Sequence, residues 1–542
     1  MRENTQSTSG KPHWPVRVGL AVAALALVLA GSLLALRHGP AAPPVACSAG
    51  SAAPGRVFHV DPRHGSDAGD GSARHPWRSL AAESRISAQR TRVSRLTRLY
   101  RRLTGHPAPF ARFANPAAVI GDGDTLLLAD GDHGDVDLSS LVNRAFVTIA
   151  PEPGAHPRLS SLRLDSASHF ILRDIRVEGP PRRSGQPEFL VIARALPGAP
   201  PADNIRLEGL TVGSTARIAD VPRDRWAREG RSGFLLTGDC LTVARSTVHD
   251  VRFGVDLYHV RQARFERNTI AGFSVDGIDF SGSDIAISGN LVQDHYATGD
   301  DLHPDCMQAQ PDRPDEIGGP LRIIGNTCLA ATFARTDPDE YLQGISIFTG
   351  HWHDVTVRCN LVLNHHAHGV TLFGVDRAEI ADNIVAGTFP PWNSWILAMP
   401  LPDGRHPVAN RIRDNVASAY LNAAHGSAHR PLDVLHALGM TADRQIIDPF
   451  LAGFGGVALA RNTVLAGGNL VARQPPDPRL AVQPLAFPIA PMPLAAARAR
   501  FPLGAECQDW RYLSPPPAAP CARGSGRSCW ARPGCGWRRA GS

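Results

Sequence analysis

Lysine is almost absent from this sequence. It occurs once, at Lys11, so the other 55 of the 56 basic residues are arginines. A lysine base, a lysine Schiff base and the phosphate-binding lysine of a P-loop are therefore excluded beyond residue 11. Any positively charged group in a functional site of the folded part must be an arginine or a protonated histidine.

The positive charge is concentrated in peripheral segments. Residues 83–113 contain eight arginines and one glutamate, and residues 498–542 contain eight arginines and two acidic residues. The net charges of these two segments and of the basic first 47 residues add up to more than the +6 of the whole chain. The rest of the chain therefore carries a net negative charge. Aromatic residues make up 6% of the chain and are rarely interleaved with the arginines. We therefore expect no nucleic-acid partner.

The sequence has one apolar run long enough to cross a membrane. Residues 18–36 are uncharged and lie between Arg17 and Arg37, close to the ~20 residues that a spanning helix needs. We predict a cytoplasmic stub and single-pass anchor over residues 1–38, with the remainder in the periplasm or outside the cell. Cleavage of this segment, which would make the protein secreted, is the alternative.

The nine cysteines are an odd number, and an exported chain can form disulfides among them. The sequence does not determine their pairing. A Pro/Ala-rich linker is predicted for residues 39–55, and a Pro/Arg/Cys-rich, partly disordered tail for residues 472–542.

Two segments resemble the N-terminal part of right-handed parallel β-helix proteins of the pectin-lyase-like superfamily. They are FHVDPRHGSD at residues 58–67 and GDGDTLLLADG at residues 121–131. The resemblance implies an all-β solenoid, with an opening segment at 56–118 and the β-helix at 119–471. Between the two segments, Ile86, Val93, Leu96, Leu99 and Leu103 are spaced as on an amphipathic helix, so an inserted helical segment is predicted at 83–113.

An internal repeat supports the solenoid. A hydrophobic residue stands three positions before an asparagine at Phe265/Asn268, Ile287/Asn290, Ile323/Asn326, Val357/Asn360, Ile380/Asn383 and Ile412/Asn415. We predict that the hydrophobic residues stack inside the solenoid. The asparagines are expected to form a structural ladder that satisfies backbone groups of the turns.

A second strand follows these positions in successive coils. Alternation predicts Val255, Ile278, Met307, Ile345 and Val370 inside, and Asp256, Asp279, Gln308, Ser346 and Thr371 in an outward column that faces solvent. The connections after Asn290 and Asn326 are longer than those after Asn268 and Asn360. We therefore expect two loops to project from one corner and form a cleft.

The first of these loops is dense in chemically active side chains. Residues 293–308 read QDHYATGDDLHPDCMQ. Histidine is a suitable base for proton abstraction, and carboxylates can hold Ca²⁺, which takes 6 to 8 oxygen ligands. The predicted catalytic residues are Asp276, Asp279, His303, Asp305 and Gln308, and the predicted metal ligands, possibly for Ca²⁺, are Asp300 and Asp301. The leading hypothesis is a polysaccharide lyase or uronate C5-epimerase that acts on an acidic polysaccharide.

Two other interpretations stay open. The segment resembles the polygalacturonases at VDGIDF and PDCMQA, which implies a glycoside hydrolase using Asp276 and Asp305, although Pro304 replaces one of that family's paired aspartates and Gln343 its histidine. HPDCMQ also resembles an H-x-D-G-I-Q signature of bacterial β-helix proteins linked to polysaccharides. A non-catalytic polysaccharide-binding β-helix would use Tyr258, Trp352 and the polar columns.

Overall fold

Short strands make up most of the chain that the computed structural model describes. The described residues are 47–48, 55–80, 85–87, 89–92, 99, 111–196, 199–298, 303–330, 342–387, 394–399, 408–417, 419–422, 457–460, 463–464 and 507. Helical elements within them include a 3₁₀ turn, Ile218–Asp220, and the α-helix α1, Arg223–Glu229.

The strands of the first half, in chain order, are β1 Val57–Val60, β2 Gln89–Arg92, β3 Ala111–Ala114, β4 Thr125–Leu128, β5 Asp135–Asp137, β6 Leu141–Pro151, β7 Arg158–Leu159, β8 Ser161–Arg163, β9 Ser168–Arg173, β10 Arg176–Gly179, β11 Phe189–Ala193, β12 Ala202–Glu208, β13 Thr211–Ser214, β14 Ser232–Leu236, β15 Gly238–Ala244, β16 Thr247–Val251, β17 Val255–Glu266, β18 Thr269–Phe273 and β19 Ile278–Ser288. Those of the second half are β20 Leu291–His295, β21 Asp305–Ala309, β22 Ile317–Gly318, β23 Leu321–Ile324, β24 Thr327–Leu329, β25 Gln343–Ile347, β26 His351–His353, β27 Val355–Arg358, β28 Leu361–Asn364, β29 His368–Phe373, β30 Val375–Asp376, β31 Glu379–Ala381, β32 Ile384–Gly387, β33 Trp395–Met399, β34 Asn410–Arg413, β35 Val416–Ala417, β36 Ala419–Asn422, β37 Val457–Ala460 and β38 Thr463–Val464.

Most of these strands stack into three faces, and β22, β26 and β30 form a separate small parallel sheet. Face A runs through β5, β8, β11, β14, β17, β19, β21, β25, β29, β33 and β36, and face B through β1, β4, β6, β9, β12, β15, β17, β19, β23, β27, β31, β34 and β37. Face C contains β7, β10, β13, β16, β18, β20, β24, β28, β32, β35 and β38. The long strands β17 and β19 belong to both A and B. All pairs within the faces are parallel, so the chain is a parallel β-helix, as predicted.

The predicted interior stack is confirmed. Along face B, Phe265 pairs with Ile287, Ile287 with Ile323, and Ile323 with Val357. The same register continues through Ile380 and Ile412, and all six side chains have no exposed surface. Burial of such side chains contributes about 1.5 to 3 kcal/mol each.

The asparagine ladder is also confirmed. Asn326 Oδ1 accepts hydrogen bonds from the backbone N–H and the Nδ2 of Asn290, each 2.9 Å long. Asn326 Nδ2 donates to Ile287 O at 2.9 Å and to Asn360 Oδ1 at 3.0 Å. The pattern repeats from Asn268 to Asn415, so each rung satisfies the next.

A column of glycines lies at the start of the strands of face A. A Cβ at any of them would come within 2.2 to 2.9 Å of a β-branched side chain from face C; the pairs are Gly233/Val248, Gly254/Ile270, Gly277/Val292, Gly344/Val362 and Gly369/Val385. The register places Cys306 between Gly277 and Gly344, and Cys328 between Val292 and Val362. Cys306 and Cys328 form a disulfide, which therefore replaces the glycine contact in this coil.

Two further disulfides attach peripheral segments to the solenoid. Cys47 pairs with Cys240, and Cys359 with Cys507. The first of them fixes the linker predicted at 39–55 to the β-helix at its ninth residue.

The helix predicted at 83–113 is wrong in part: Arg85 and Leu99 are helical, but β2 lies within that range and β3 at its end. Residues 89–92 form β2, which pairs antiparallel with β3 and with β6. Tertiary pairing with β6 overrides the helical spacing of the apolar residues, and most of the segment between β2 and β3 lies outside the described residues.

The predicted membrane segment, residues 18–36, also lies outside the described residues. Within the part of the chain that is described, none of the helices has the length and apolar character needed to span a bilayer.

Candidate active site on face A

Parallel register brings the predicted site residues together on face A. Asp256 pairs with Asp279, Asp279 with Gln308, and Gln308 with Ser346, so the predicted vertical column is confirmed. A second column runs beside it, at the start of the same strands. There the backbone N–H of Asp305 donates to Asp276 Oδ1 at 2.7 Å.

The expectation that the first column faces solvent is wrong. Asp279 and Gln308 are each 4% exposed, and Ser346 and Thr371 are fully buried. Flanking side chains cover the column, since Gln310 Nε2 donates to Gln308 Oε1 at 2.8 Å and Trp395 Nε1 to Thr371 Oγ1 at 3.2 Å. Alternation separates inside from outside, but it does not reveal what packs over the outside.

Three buried carboxyl groups form the centre of the site. Asp276, Asp279 and Asp305 are 5%, 4% and 0% exposed. Burial, and then the charge of Asp305, raises the pKa of Asp276 to about 8. Burial and the charge of Asp276 raise the pKa of Asp279 well above its ordinary value. Burial raises the pKa of Asp305 only to about 6, because His303 stabilises its charged form. At neutral pH the site therefore holds a protonated Asp276 beside an ionised Asp305.

His303 stands in front of Asp305. Its Nδ1 lies 3.6 Å from Asp305 Oδ2, and its side chain is 60% exposed while that of Asp305 is fully buried. Interaction with Asp305 raises the pKa of His303. A buried carboxylate behind an accessible imidazole orients the ring and stabilises the imidazolium that forms when the ring accepts a proton.

A cluster of aromatic rings bounds the site on the side of the later coils. These rings were not assigned to the site from the sequence. Phe348 packs edge-on against both His303 and His368, with ring centroids 6.4 and 5.2 Å apart. His368 also packs against His366 and Trp395, at 5.0 and 5.1 Å. Burial lowers the pKa of His366 to about 4 and of His368 to about 3, so both rings are neutral. The repeat could have placed His368 on face A in the coil that follows Gln343, but it could not have predicted what packs around the ring.

The lower end of the site is bounded by an acidic cluster. The Tyr258 hydroxyl donates to Asp312, and His259 contacts Asp312 and, at 3.1 Å, Glu316. Burial, and then the charge of Asp312, raises the pKa of Asp256 to about 7. Tyr258 is therefore engaged with an acid at the edge of the site.

Trp352 does not fit the predicted binding platform. It is 2% exposed and packs edge-on against Phe280, with centroids 5.5 Å apart. Its ring is part of the packed interior and cannot stack on a sugar.

The side chains of the site offer oxygen ligands, which are the ligands that a hard cation such as Ca²⁺ prefers. Both Asp305 oxygens, Asp279 Oδ1, Gln343 Oε1 and Ser346 Oγ are buried without a hydrogen-bond partner among the described residues. The described shelf does not, however, bring three acidic or imidazole ligand atoms within 4.8 Å of one another. The predicted ligands Asp300 and Asp301 lie outside the described residues.

No family model matches the sequence, and no curated protein matches it. Among solved structures, the chain is similar to the A-module of a mannuronan C-5 epimerase from Azotobacter vinelandii, at 13% identity and a TM-score of 0.42, over 62% of this chain and 90% of that one. It is similar to a pectate lyase at 10% identity and a TM-score of 0.32, over 74% and 90% of the two chains. For a GH136 lacto-N-biosidase from Eubacterium ramulus the identity is 13% and the TM-score 0.32, over 61% of this chain and 64% of that one.

The chain thus spans less than two thirds of the length of the lacto-N-biosidase structure. At these identities and TM-scores the similarities do not bear on the reaction. The strand pairing itself is what identifies the chain as a parallel β-helix.

Proposed function

We propose that this protein abstracts the C5 proton of a uronate residue in an acidic polysaccharide, as a lyase or a C5-epimerase. The observation that carries the proposal is the pairing of His303 with Asp305, in which an accessible imidazole stands 3.6 Å from a fully buried carboxylate. In this arrangement His303 accepts the C5 proton, and Asp305 holds the ring and stabilises its positive charge.

The raised pKa of Asp276 supplies the complementary acid. In a lyase reaction the C5–H electron pair forms the C4–C5 double bond, the C4–O bond breaks, and the departing oxygen takes a proton from an acid such as Asp276. In an epimerase reaction a proton returns to C5 from the opposite face. The two outcomes share the base and differ in where the second proton goes.

The sugar carboxylate must be neutralised before its C5 proton becomes acidic. Asp279, whose pKa is raised by burial and by the charge of Asp276, can donate a hydrogen bond to it in its protonated form, while Asp276 keeps its proton for the departing oxygen. Ca²⁺ is the second part of the proposal, because it would supply positive charge to the carboxylate when bound. Asp305 Oδ1 and Gln343 Oε1, which have no hydrogen-bond partner among the described residues, could contribute to holding it.

The test is turnover of uronate polysaccharides by the full chain. We expect unsaturated products or an altered ratio of C5 epimers, and we expect His303→Ala to reduce the rate about 100-fold or more. His353→Ala is the matched control, because His353 also has a carboxylate partner, Asp354 at 2.8 Å, but lies outside face A. Equal rates in the two variants would remove His303 from the mechanism.

Hydrolysis is the second candidate. Asp276 and Asp305 lie on adjacent coils, and their pKa values are raised to different extents, to about 8 and about 6. This is the condition for one acid and one base in a glycoside hydrolase. New reducing ends without unsaturation, strong loss of activity in Asp305→Asn and no effect of chelation would favour hydrolysis. Binding of the polymer without any product would favour a non-catalytic role.

We also propose that the chain is exported and held by residues 18–36 as a single-pass anchor, and that the β-helix winds in the right-handed sense. Three disulfides among the described residues support an oxidising compartment. A reporter active only in the cytoplasm, fused after residue 55, should give no signal. A strong signal would contradict the topology.

A further inference from the structure

Two phenylalanines lie on the later coils of face A, beside the proposed base. Phe348 and Phe373 each stand two residues after a member of the column that contains Gln308, namely Ser346 and Thr371. Their ring centroids are 5.5 Å apart, with an angle of 70° between the ring planes. Both side chains are half-buried, so part of each ring is accessible. We call Phe348 and Phe373 the phenylalanine pair.

The phenylalanine pair is continuous with the site of the proposed reaction. Phe348 packs edge-on against His303, with ring centroids 6.4 Å apart. Neighbouring strands of the stack are about 4.8 Å apart, and the pair occupies the first and second coils after that of Asp305. For a polymer that follows the column of coils, the sugar next to the reacting uronate therefore lies over these rings.

The coils around the phenylalanine pair offer no lasting positive charge. Arginine and lysine are absent from the face A segments of six successive coils, 255–258, 278–281, 305–309, 343–347, 368–373 and 395–399. His368 packs against Phe348 at 5.2 Å, and burial lowers its pKa to about 3. Burial likewise lowers the pKa of His366 to about 4, and His303 is neutral whenever it acts as a base. A carboxylate over the pair would find no described cation.

The other end of the site is acidic. His259 contacts the carboxylates of Asp312 and Glu316, and Arg313 pairs with Asp315 at 3.6 Å. Carboxylates therefore outnumber cations among the described groups of this cluster. A polymer made only of uronates would bring further negative charge to it, and like charges side by side disfavour binding.

We propose that the phenylalanine pair binds a neutral sugar next to the reacting uronate, so that the substrate is a heteropolysaccharide in which neutral sugars flank the uronates. This inference rests on the proposed function, because it takes the uronate at His303 as the reacting residue. The C–H face of a pyranose ring is apolar and packs on the face of an aromatic ring, which carries partial negative charge. A uronate in the same place would need a cation, and the face A segments supply none.

The test is calorimetric titration of oligosaccharides into the full chain with His303→Gln, which prevents turnover during the measurement. Oligosaccharides of hyaluronan, unsulfated chondroitin and gellan have neutral sugars beside each uronate, whereas those of polymannuronate and polygalacturonate contain uronates only. We expect at least one of the three mixed oligosaccharides to bind about 10-fold more tightly than either homopolymer.

Variants of Phe373 separate stacking from simple packing. Phe373→Leu should weaken binding of the preferred oligosaccharide about 10-fold, because leucine fills space without offering an aromatic face, whereas Phe373→Tyr should retain it. Phe113→Ala is the matched control, since Phe113 is 47% exposed but lies on β3, outside face A. It should leave binding unchanged.

Three results would overturn the proposal: homopolymers that bind as tightly as the mixed oligosaccharides, unchanged binding in Phe373→Leu, or no binding of any mixed oligosaccharide. Homopolymer binding that is lost in Arg335→Gln would also contradict it, by identifying a cation in the loop 331–341, which lies outside the described residues. The proposed reaction is tested separately. Mixed oligosaccharides that bind through Phe373 but yield no product with the wild type would support the subsite and refute the reaction, and turnover of homopolymers that is unaffected by Phe373→Leu would do the reverse.

Discussion

Two polar columns run along the same solenoid, and they differ in how their polar atoms are satisfied. In the asparagine ladder, the backbone N–H and the side-chain amide of Asn290 donate hydrogen bonds to the side-chain oxygen of Asn326, and those of Asn326 donate to Asn360 in the same way. On face A, Asp305 and Ser346 are equally buried, yet their side-chain oxygens have no hydrogen-bond partner in the described chain.

The difference separates structural polarity from functional polarity. A buried unpaired donor or acceptor costs about 1 to 3 kcal/mol, so a column of them is retained only where another role offsets that cost. We therefore expect the ladder to stabilise the fold, and the face A column to destabilise it while supplying groups with raised pKa values.

The largest expected effect tests the ladder. Asn326→Ala removes the acceptor of two Asn290 donors and the donor to Ile287 O, which leaves buried groups unpaired on both sides. We expect a loss of about 3 to 5 kcal/mol in the free energy of unfolding, or failure to fold. Ser346→Ala on face A, which removes an unpartnered hydroxyl, should change it by less than about 1 kcal/mol. Urea unfolding of both variants measures the two losses. A larger loss in Ser346→Ala than in Asn326→Ala would contradict the assignment of the ladder as structural and of the face A column as functional.

The pH dependence of stability gives the next effect. Asp276 has a pKa of about 8 in the folded chain, against about 3.9 when unfolded. Above pH 4 the unfolded chain therefore loses a proton that the folded chain keeps, and unfolding becomes easier as the pH rises to 8. Asp276→Asn preserves the acceptor for Asp305 N–H and should reduce this decline by about 2 to 4 kcal/mol between pH 4 and pH 8.

An exposed aspartate provides a control of opposite sign. Hydrogen bonding to Arg377 lowers the pKa of Asp354 to about 2. Its contribution is present above pH 4 and is lost as the pH falls toward 2, so Asp354→Asn should lose stability at neutral pH. The prediction for Asp276 would be contradicted if the free energy of unfolding changed in parallel for wild type and Asp276→Asn between pH 4 and pH 8. The face A carboxyls would then not be destabilising.

The smallest effect concerns the disulfide beside Asp305. If Cys306–Cys328 replaces a glycine–valine contact, then Cys306→Gly with Cys328→Val should be more stable than Cys306→Ala with Cys328→Ala by about 1 kcal/mol, because valine fills the space that alanine leaves. Both pairs lose the cross-link, so the difference in chemical unfolding isolates the packing. A more stable alanine pair would mean that the glycine column does not extend through this coil.

The repeat made the fold predictable. Asn268 to Asn415 mark one corner of six successive coils, and a two-residue alternation then determines which side of each following strand faces inward. The strands β2 and β3 were missed because β2 pairs with β6, which is distant in sequence. The pairing of Cys359 with Cys507 was not deducible for the same reason.

The sequence predicted which residues of the candidate site stack on one another, but not which side chains pack around them. The repeat placed Asp279 above Asp256 and Gln308 above Asp279, as the structure shows. It did not predict that Phe348 packs beside His303, because packing across the outside of the coils has no period. Burial, and with it the pKa of each carboxyl, depends on that packing.

The proposed reaction requires that His303 remove a proton from carbon on face A. Turnover of uronate polysaccharides in deuterium oxide, followed by mass spectrometry and NMR of the products, measures this step. We expect C4–C5 unsaturation or deuterium at C5, lost in His303→Ala and retained in His353→Ala. Products that carry new reducing ends with neither unsaturation nor C5 deuterium, or unchanged turnover in His303→Ala, would contradict it.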